Sequence, residues 1–209
     1  AGGLWDKYPV EQVATPEGYA RNPELVINFY NERRKQLLEV RPNDGHLGLA
    51  ELEADFNVTV VTQNIDNLHE RAGSRRIIHL HGELTKVCSS RDPYNPHYIK
   101  ELKPDEYEVK FGDKAGDGTQ LRPFIVWFGE PVPEIETAVN YVEKADIFVI
   151  IGTSMNVYPA AGLLNYVPRE AEVYLIDPKP VDVHSMRRIH VIQKGASEGV
   201  RELRSLLQS

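Results

Sequence analysis

The chain has 209 residues, 41% of them hydrophobic and 26% charged, and a formal net charge of −7. That length suits one compact α/β domain with an insertion, and the acidic balance repels polyphosphates at long range, which disfavours nucleic acid as a partner. No stretch approaches the roughly 18 apolar residues of a membrane span, and the start, Ala1-Gly2-Gly3-Leu4-Trp5-Asp6, lacks the basic-then-apolar pattern of a signal peptide; the expectation is a cytoplasmic protein with no membrane partner. Cys88 is the only cysteine, so no disulfide can close within the chain, and a structural zinc site, which takes about four mostly thiolate ligands, is not expected.

Residues 4–20 read as irregular, with Pro9 and Pro16. Asn22-Pro23-Glu24 then opens a helix, with Asn as N-cap, Pro in the first turn and Glu at the positive end of the dipole. It is expected to run to about Glu39, with Leu25, Phe29 and Leu37 on one face and Val26 and Arg33 close by. A second helix, about Asp44 to Asp55, turns Leu49 and Leu52 inward. Val58 to Thr62 is a β-branched run typical of a buried parallel strand, and Gln63-Asn64-Ile65-Asp66 follows at its end. A short helix reaches Gly73 as its C-terminal cap, and Ile77 to Leu80 reads as a strand.

From about 85 to 120 the pattern dissolves among prolines 93, 96 and 104 and glycines 112, 116 and 118, as expected of an irregular insertion. Order returns with a buried strand over Pro123 to Phe128 and a helix over about Ile135 to Lys144. The strand Ile147 to Ile151 meets Gly152-Thr153-Ser154; a helix spans about Ala160 to Val167. The strand Val173 to Ile176 ends on Asp177, and a short strand, Val191-Ile192, leads into a last helix over about Ser197 to Leu207. This alternation predicts an α/β fold: a Rossmann-like parallel sheet with helices on both faces. The expected organisation is a single catalytic domain over 1–209, carrying an inserted helical segment at about 5–40 and the irregular insertion at about 85–120. Ligands of such sheets sit beyond the carboxyl ends of the strands, where the polar clusters of this chain lie.

Three clusters carry chemistry. Gln63, Asn64 and Asp66 crowd a strand mouth with the donors and acceptors a ribose or an amide needs, although Asn and Asp are also helix caps. In His79-Leu80-His81-Gly82-Glu83 the alternation puts both histidines on one side of a strand. A strand-end histidine is a structural hydrogen-bonder or a base; Gly82 lets backbone pass close to a ligand, and imidazole suits proton transfer near neutral pH. Gly152-Thr153-Ser154, after a buried strand and before a helix, is a plausible anion or ribose cradle.

Taken together, the Thr-Gln-Asn-Ile-Asp stretch at 62–66, the His-Gly pair at 81–82, Trp127-Phe128-Gly129-Glu130 and Gly152-Thr153-Ser154 resemble the sirtuin family, in the family's order and over nearly the whole chain. The resemblance implies an NAD-dependent protein-lysine deacylase. In that chemistry the acyl-lysine carbonyl oxygen attacks the nicotinamide ribose, nicotinamide leaves, an alkylimidate forms, and the products are free lysine and O-acyl-ADP-ribose. His81 is then the general base. Gln63 and Asn64 contact the ribose and its surroundings; Ile65 and Asp66 line the nicotinamide pocket. Gly152, Thr153 and Ser154 approach the adenosine half, with Asp177 at its ribose and Ala196 by the adenine. Val126, Phe128, Gly129 and Glu130 pair with the substrate backbone as an added strand. Tyr30 and Arg33, three apart on one helix face, resemble the Tyr-x-x-Arg pair of sirtuins that remove acidic acyl groups such as succinyl and malonyl, and Ala14 matches a small residue that widens the same pocket. The implied partners are acylated lysine side chains of proteins.

Two departures from the family carry expectations of their own. Sirtuins commonly hold a structural zinc with two Cys-x-x-Cys pairs between the His-Gly motif and the Trp-Phe-Gly-Glu strand, where this chain has only Cys88; the insertion must be held by packing, and zinc is not expected. The start at Ala1 corresponds to a point after the family's first strand and Gly-Ala-Gly loop, which supply much of the diphosphate cradle; without them NAD binding is expected to be weakened. The competing readings are a non-catalytic module that binds NAD or ADP-ribose, and a protein ADP-ribosyltransferase.

Overall fold

The computed structural model describes residues 7–152, 160–180 and 187–209, which gather into two compact units. In chain order the first elements are helices α1 (Val10–Val13), α2 (Pro16–Arg21), α3 (Pro23–Glu39) and α4 (Asp44–Glu51), strand β1 (Val60–Thr62), helix α5 (Leu68–Ala72) and strands β2 (Ile77–His79), β3 (Gly82–Ser89), β4 (Lys100–Glu101) and β5 (Leu121–Ile125). Helix α6 (Ile135–Val142), strand β6 (Ile147–Ile151), helix α7 (Ala160–Leu163), strands β7 (Glu172–Ile176) and β8 (Ile189–Ile192) and helix α8 (Ala196–Gln208) follow. No helix among the described residues is long and apolar enough to cross a membrane.

The first unit comprises the described residues through Val40 together with 63–67 and 79–133. Helix α3 begins where the caps dictate: the Asn22 side chain accepts from the Leu25 N–H, and Pro23 occupies the first turn. Its inner face holds Val26, Ile27, Phe29, Tyr30 and Leu37, and it buries Arg34 rather than Arg33. Arg34 is held by acceptors distant in sequence: its Nε donates to the Leu84 carbonyl at 2.8 Å, and one terminal nitrogen donates to Asn31 Oδ1 and to the Tyr107 carbonyl. Asn31 in turn exchanges two bonds with the main chain of Val109, as a strand neighbour would. Around these bonds pack Ile27, Val87, Val109 and Leu121.

The stretch about 85–120, expected to be irregular, is mostly turns and loops but carries strand at its start and at 100–101. β3 continues to Ser89 and pairs antiparallel with β4 on one side and β5 on the other, with a break in register between Gly82 and Val87. Beyond the strands, Ser89 Oγ bonds to Asp117 and Thr119 and accepts the N–H groups of Arg91 and Asp92, so a buried hydroxyl closes the polar loops. β5 also departs from expectation, because it ends at Ile125 and Val126 to Gly129 leave the sheet in a turn.

The second unit comprises 41–62, 68–78 and the described residues from Glu134 onward. Here the parallel expectation holds: β6, β7 and β8 form a parallel sheet in that order, in register from Ile147 opposite Glu172. Leu52, Ile176, Ile192, Val200 and Leu203 form its core. Helices α4 and α8 meet closely because Gly48 lacks a side chain, for a Cβ there would stand 2.7 Å from Val200 Cγ1, and Gly199 lets α8 lie against β7, where a Cβ would stand 2.2 Å from Ile176 Cγ2. β1 and β2 form a separate two-stranded ladder, in which the Val60 N–H donates to the Arg76 carbonyl.

Candidate functional site

On the first unit the sequence-predicted residues converge. Gln63 to Asn67 form a loop tied down at three points: the Ile65 carbonyl accepts from Leu84 N–H at 2.8 Å, the Asn64 carbonyl meets His79 Nδ1 at 3.0 Å, and the Gln63 main chain hydrogen-bonds the His81 ring. His79 is therefore buried and structural, with Glu83 3.9 Å from its other nitrogen, whereas His81 is partly exposed. Desolvation lowers the His81 pKa below the 6.5 of a free imidazole, and the bond to Gln63 opposes that shift only in part. His81 is thus neutral near pH 7, the state a general base needs.

Gly82 fixes the ring's position. Its φ is +87°, and a Cβ there would fall 2.2 Å from the Phe124 carbonyl oxygen, so the chain can follow His81 with glycine alone. The His81 carbonyl accepts from Val126 N–H, which carries the same frame onto the turn after β5.

That turn is built from within. Glu130 Oε1 accepts the Trp127 N–H at 2.8 Å, and the Glu130 N–H donates to the Trp127 carbonyl. Phe128 N–H donates to the Ala14 carbonyl, its ring is 69% exposed, and Gly129 adopts φ +91°. Trp127 points the other way, fully buried, and donates from Nε1 to the Tyr30 hydroxyl, which itself donates to the Val13 carbonyl. Tyr30 is wholly buried and its pKa is pushed up to about 12 by desolvation. Arg33, one helical turn on, is half-buried; desolvation is the first cause of a guanidinium pKa lowered to about 10.

Two buried polar atoms of the loop, Gln63 Nε2 and Asn67 Oδ1, have no hydrogen-bond partner among the described residues. A buried donor and a buried acceptor left open in one loop suit a ligand that carries both functions, as a ribose or carboxamide does. Asn67 was not marked by sequence reasoning, although it only extends the polar run from Gln63 to Asp66. Arg122 was missed as well; its signal was a lone cation inside the apolar run from Leu121 to Phe124.

On the second unit, Gly152 ends β6 with φ +61°, and a Cβ there would meet nothing within 4 Å. Asp177 follows β7; its N–H donates to the Ile192 carbonyl and its Oδ1 accepts from Lys179 N–H, so one carboxylate oxygen shapes its own turn. Ala196 opens α8. Thr153 and Ser154 lie outside the described residues.

The Sir2 family model matches residues 1–159 of the chain. The chain belongs to the Sir2 family. It is 85% identical to an NAD-dependent protein deacylase of Bacteroides thetaiotaomicron over 99% of this chain and 88% of the relative, and 47% identical to an NAD-dependent protein deacylase of Helicobacter pylori over 97% and 86%. The crystal structure of a Sir2 homolog–NAD complex superimposes with a TM-score of 0.79 at 35% identity, covering 98% of this chain and 81% of that one.

The zinc site common among Sir2 proteins does not fit these residues. Cys88 is fully buried, its Sγ faces the Pro123 carbonyl at 3.7 Å, and burial pushes its thiol up to about 12, far from the thiolate a metal requires. The segment is held instead by β3–β5 pairing, by the Ser89 bonds and by a bidentate pair between Arg122 and Glu130.

Proposed function

We propose that His81 is the general base of an NAD-dependent deacylation of protein lysines, with Gln63, Asn64, Ile65 and Asp66 forming the nicotinamide-ribose side of its site. This Sir2 protein is an NAD-dependent protein deacylase, releasing nicotinamide and O-acyl-ADP-ribose. The single observation behind the assignment is a neutral, partly exposed imidazole anchored to the main chain of the loop that carries the open Gln63 Nε2 and Asn67 Oδ1. NAD, when bound, supplies the scissile nicotinamide–ribose bond and the ribose hydroxyls that take up the acyl group. Around it, the Gln63 amide donates, Asn67 accepts, and neutral His81 takes a proton from a hydroxyl relay. On the second unit we assign Gly152, Thr153, Ser154, Asp177 and Ala196 to the adenosine half; Asp177 keeps one carboxylate oxygen for a ribose hydroxyl after capping its own turn.

The acyl-lysine backbone adds along Val126 to Gly129. The N–H groups of Val126, Trp127 and Phe128 are already bonded within the chain, so the added strand is held by the carbonyls of Val126 and Phe128 and by Gly129 N–H. For the acyl group, Arg33 favours one that ends in a carboxylate. Burial makes its charge costly, as its lowered pKa records, and a bidentate carboxylate offsets that cost. Ala14, whose carbonyl holds Phe128, leaves room by its small side chain. Tyr30 contributes less than its spacing suggests, since its one proton is given to Val13.

The test is mass spectrometry of succinyl-lysine and acetyl-lysine peptides incubated with NAD. Succinyl-lysine is processed faster, and Arg33→Met reverses the ranking; equal loss on both peptides defeats the pocket assignment. A peptide that gains ADP-ribose, or binding without turnover, defeats the deacylase reading itself.

A further inference from the structure

We propose that Arg122 is a positioning residue for acyl-lysine binding: buried behind the turn after β5, it sets the edge to which the substrate backbone adds. The inference rests on the reading of Val126 to Gly129 as the substrate-binding edge.

Arg122 is 4% exposed and lies in β5, four residues before that edge begins. Its two terminal nitrogens each reach one oxygen of Glu130 at 3.0 Å, a fork-to-fork pair. One of them also donates to the Ile125 carbonyl at 2.8 Å, the last residue of the strand, and Nε donates to its neighbour, the Pro123 carbonyl. The guanidinium lies 3.9 Å from the centre of the Trp127 ring. One cation therefore touches the strand's last carbonyl, the turn's buried anchor and the carboxylate that caps the turn.

Glu130 passes this constraint on. The same Oε1 that accepts from Arg122 accepts the Trp127 N–H, so the peptide plane between Val126 and Trp127 is fixed by the ion pair. That plane carries the Val126 carbonyl, one of the acceptors available to an added strand. Both Glu130 side-chain oxygens are engaged inside the chain, so its carboxylate acts behind the surface. Tyr94, its ring packed against Phe124, stands beside the pair. Burial is the first cause of the raised Tyr94 pKa and Glu130 the second, so the phenol stays protonated beside the pair.

A pair that only stabilised the fold would alter the fraction of active protein, which lowers kcat and leaves KM unchanged. A pair that aims the edge alters the peptide KM. The variant is Arg122→Lys, which keeps the charge but cannot span both Glu130 oxygens and the Ile125 carbonyl. Steady-state kinetics of the full protein should show the peptide KM raised about tenfold, in the range expected for misplaced binding groups, with kcat and the KM for NAD each within about threefold. Glu130→Gln, which still accepts the Trp127 N–H, should raise the peptide KM less than Arg122→Lys does. Since KM does not depend on the amount of folded enzyme, a poorly folding variant still reports. An unchanged peptide KM in Arg122→Lys overturns the inference, as does a KM for NAD that rises in step with it. Wild-type protein without deacylase activity overturns instead the reading on which it rests.

Discussion

The indole N–H of Trp127 donates to the hydroxyl of Tyr30 across 3.1 Å, and both side chains are buried. The phenol then spends its own proton on the Val13 carbonyl. A residue that spacing marks for the acyl pocket is thus also the joint between helix α3, the end of helix α1 and the turn after β5.

Tyr30→Phe tests that joint. It leaves a buried carbonyl at Val13 and a buried indole N–H without partners, at a cost of about 1 to 3 kcal/mol. Urea denaturation should show a lower midpoint with an unchanged slope. The proposed succinyl-over-acetyl preference, assigned to Arg33, should survive; its disappearance in Tyr30→Phe would return the phenol to the pocket.

The pH dependence follows from His81. Its folded pKa lies below 6.5, so kcat should stay level on acidification through 6.5 and fall only below it. The same depression ties stability to pH: the contribution is present above 6.5 and is lost as pH falls through the folded value, because the folded imidazole takes up its proton later than the unfolded one. His81→Asn should reduce kcat by about 10²- to 10⁴-fold and leave nucleotide binding measurable by calorimetry. An acid limb of kcat centred above 6.5 would contradict the assignment of base.

What the sequence made legible was local. Helix α3 was placed by Asn22-Pro23-Glu24, and β6 by an unbroken apolar run, since caps and apolar runs act over a few residues. What it hid depends on distant partners. Periodicity drew Arg33 toward the core face, yet Arg34 is buried, because Leu84 and Tyr107 bring carbonyls to it. The polar strand β3 gives little apolar signal and exists through pairing with β5. Val126 to Phe128 looks like a strand and is bent away by Glu130 and Arg122. The proposed base was legible only through its company, for nothing in a lone strand-end imidazole separates His81 from the buried His79.

Cys88 gives a metal prediction. With its thiol buried and pushed up to about 12, almost none is thiolate at neutral pH, so a thiol-reactive dye should label the native protein no faster than it unfolds. Incubation with a chelator should leave both Tm and deacylase activity unchanged. Zinc at near one equivalent in the purified protein would show that another donor set holds it.

Gly82→Ala separates backbone geometry from general loss of stability. A methyl group there meets the Phe124 carbonyl at 2.2 Å in a conformation, φ +87°, that alanine avoids. Relief requires β3 and β5 to part where the His81 carbonyl accepts from Val126, so the proposed base and the proposed substrate edge shift together. Gly48→Ala is the matched comparison: its methyl meets Val200 at 2.7 Å, in the core of the second unit. Both variants should lose about 1 to 3 kcal/mol by denaturation, the usual range for overpacking. At a temperature where each is folded, Gly82→Ala should in addition lower kcat by at least about tenfold, since misplacing a base by a fraction of an ångström costs that much, while Gly48→Ala keeps its kcat. Equal kcat in the two variants would mean that Gly82 serves the fold alone and that His81 is positioned by the Gln63 loop.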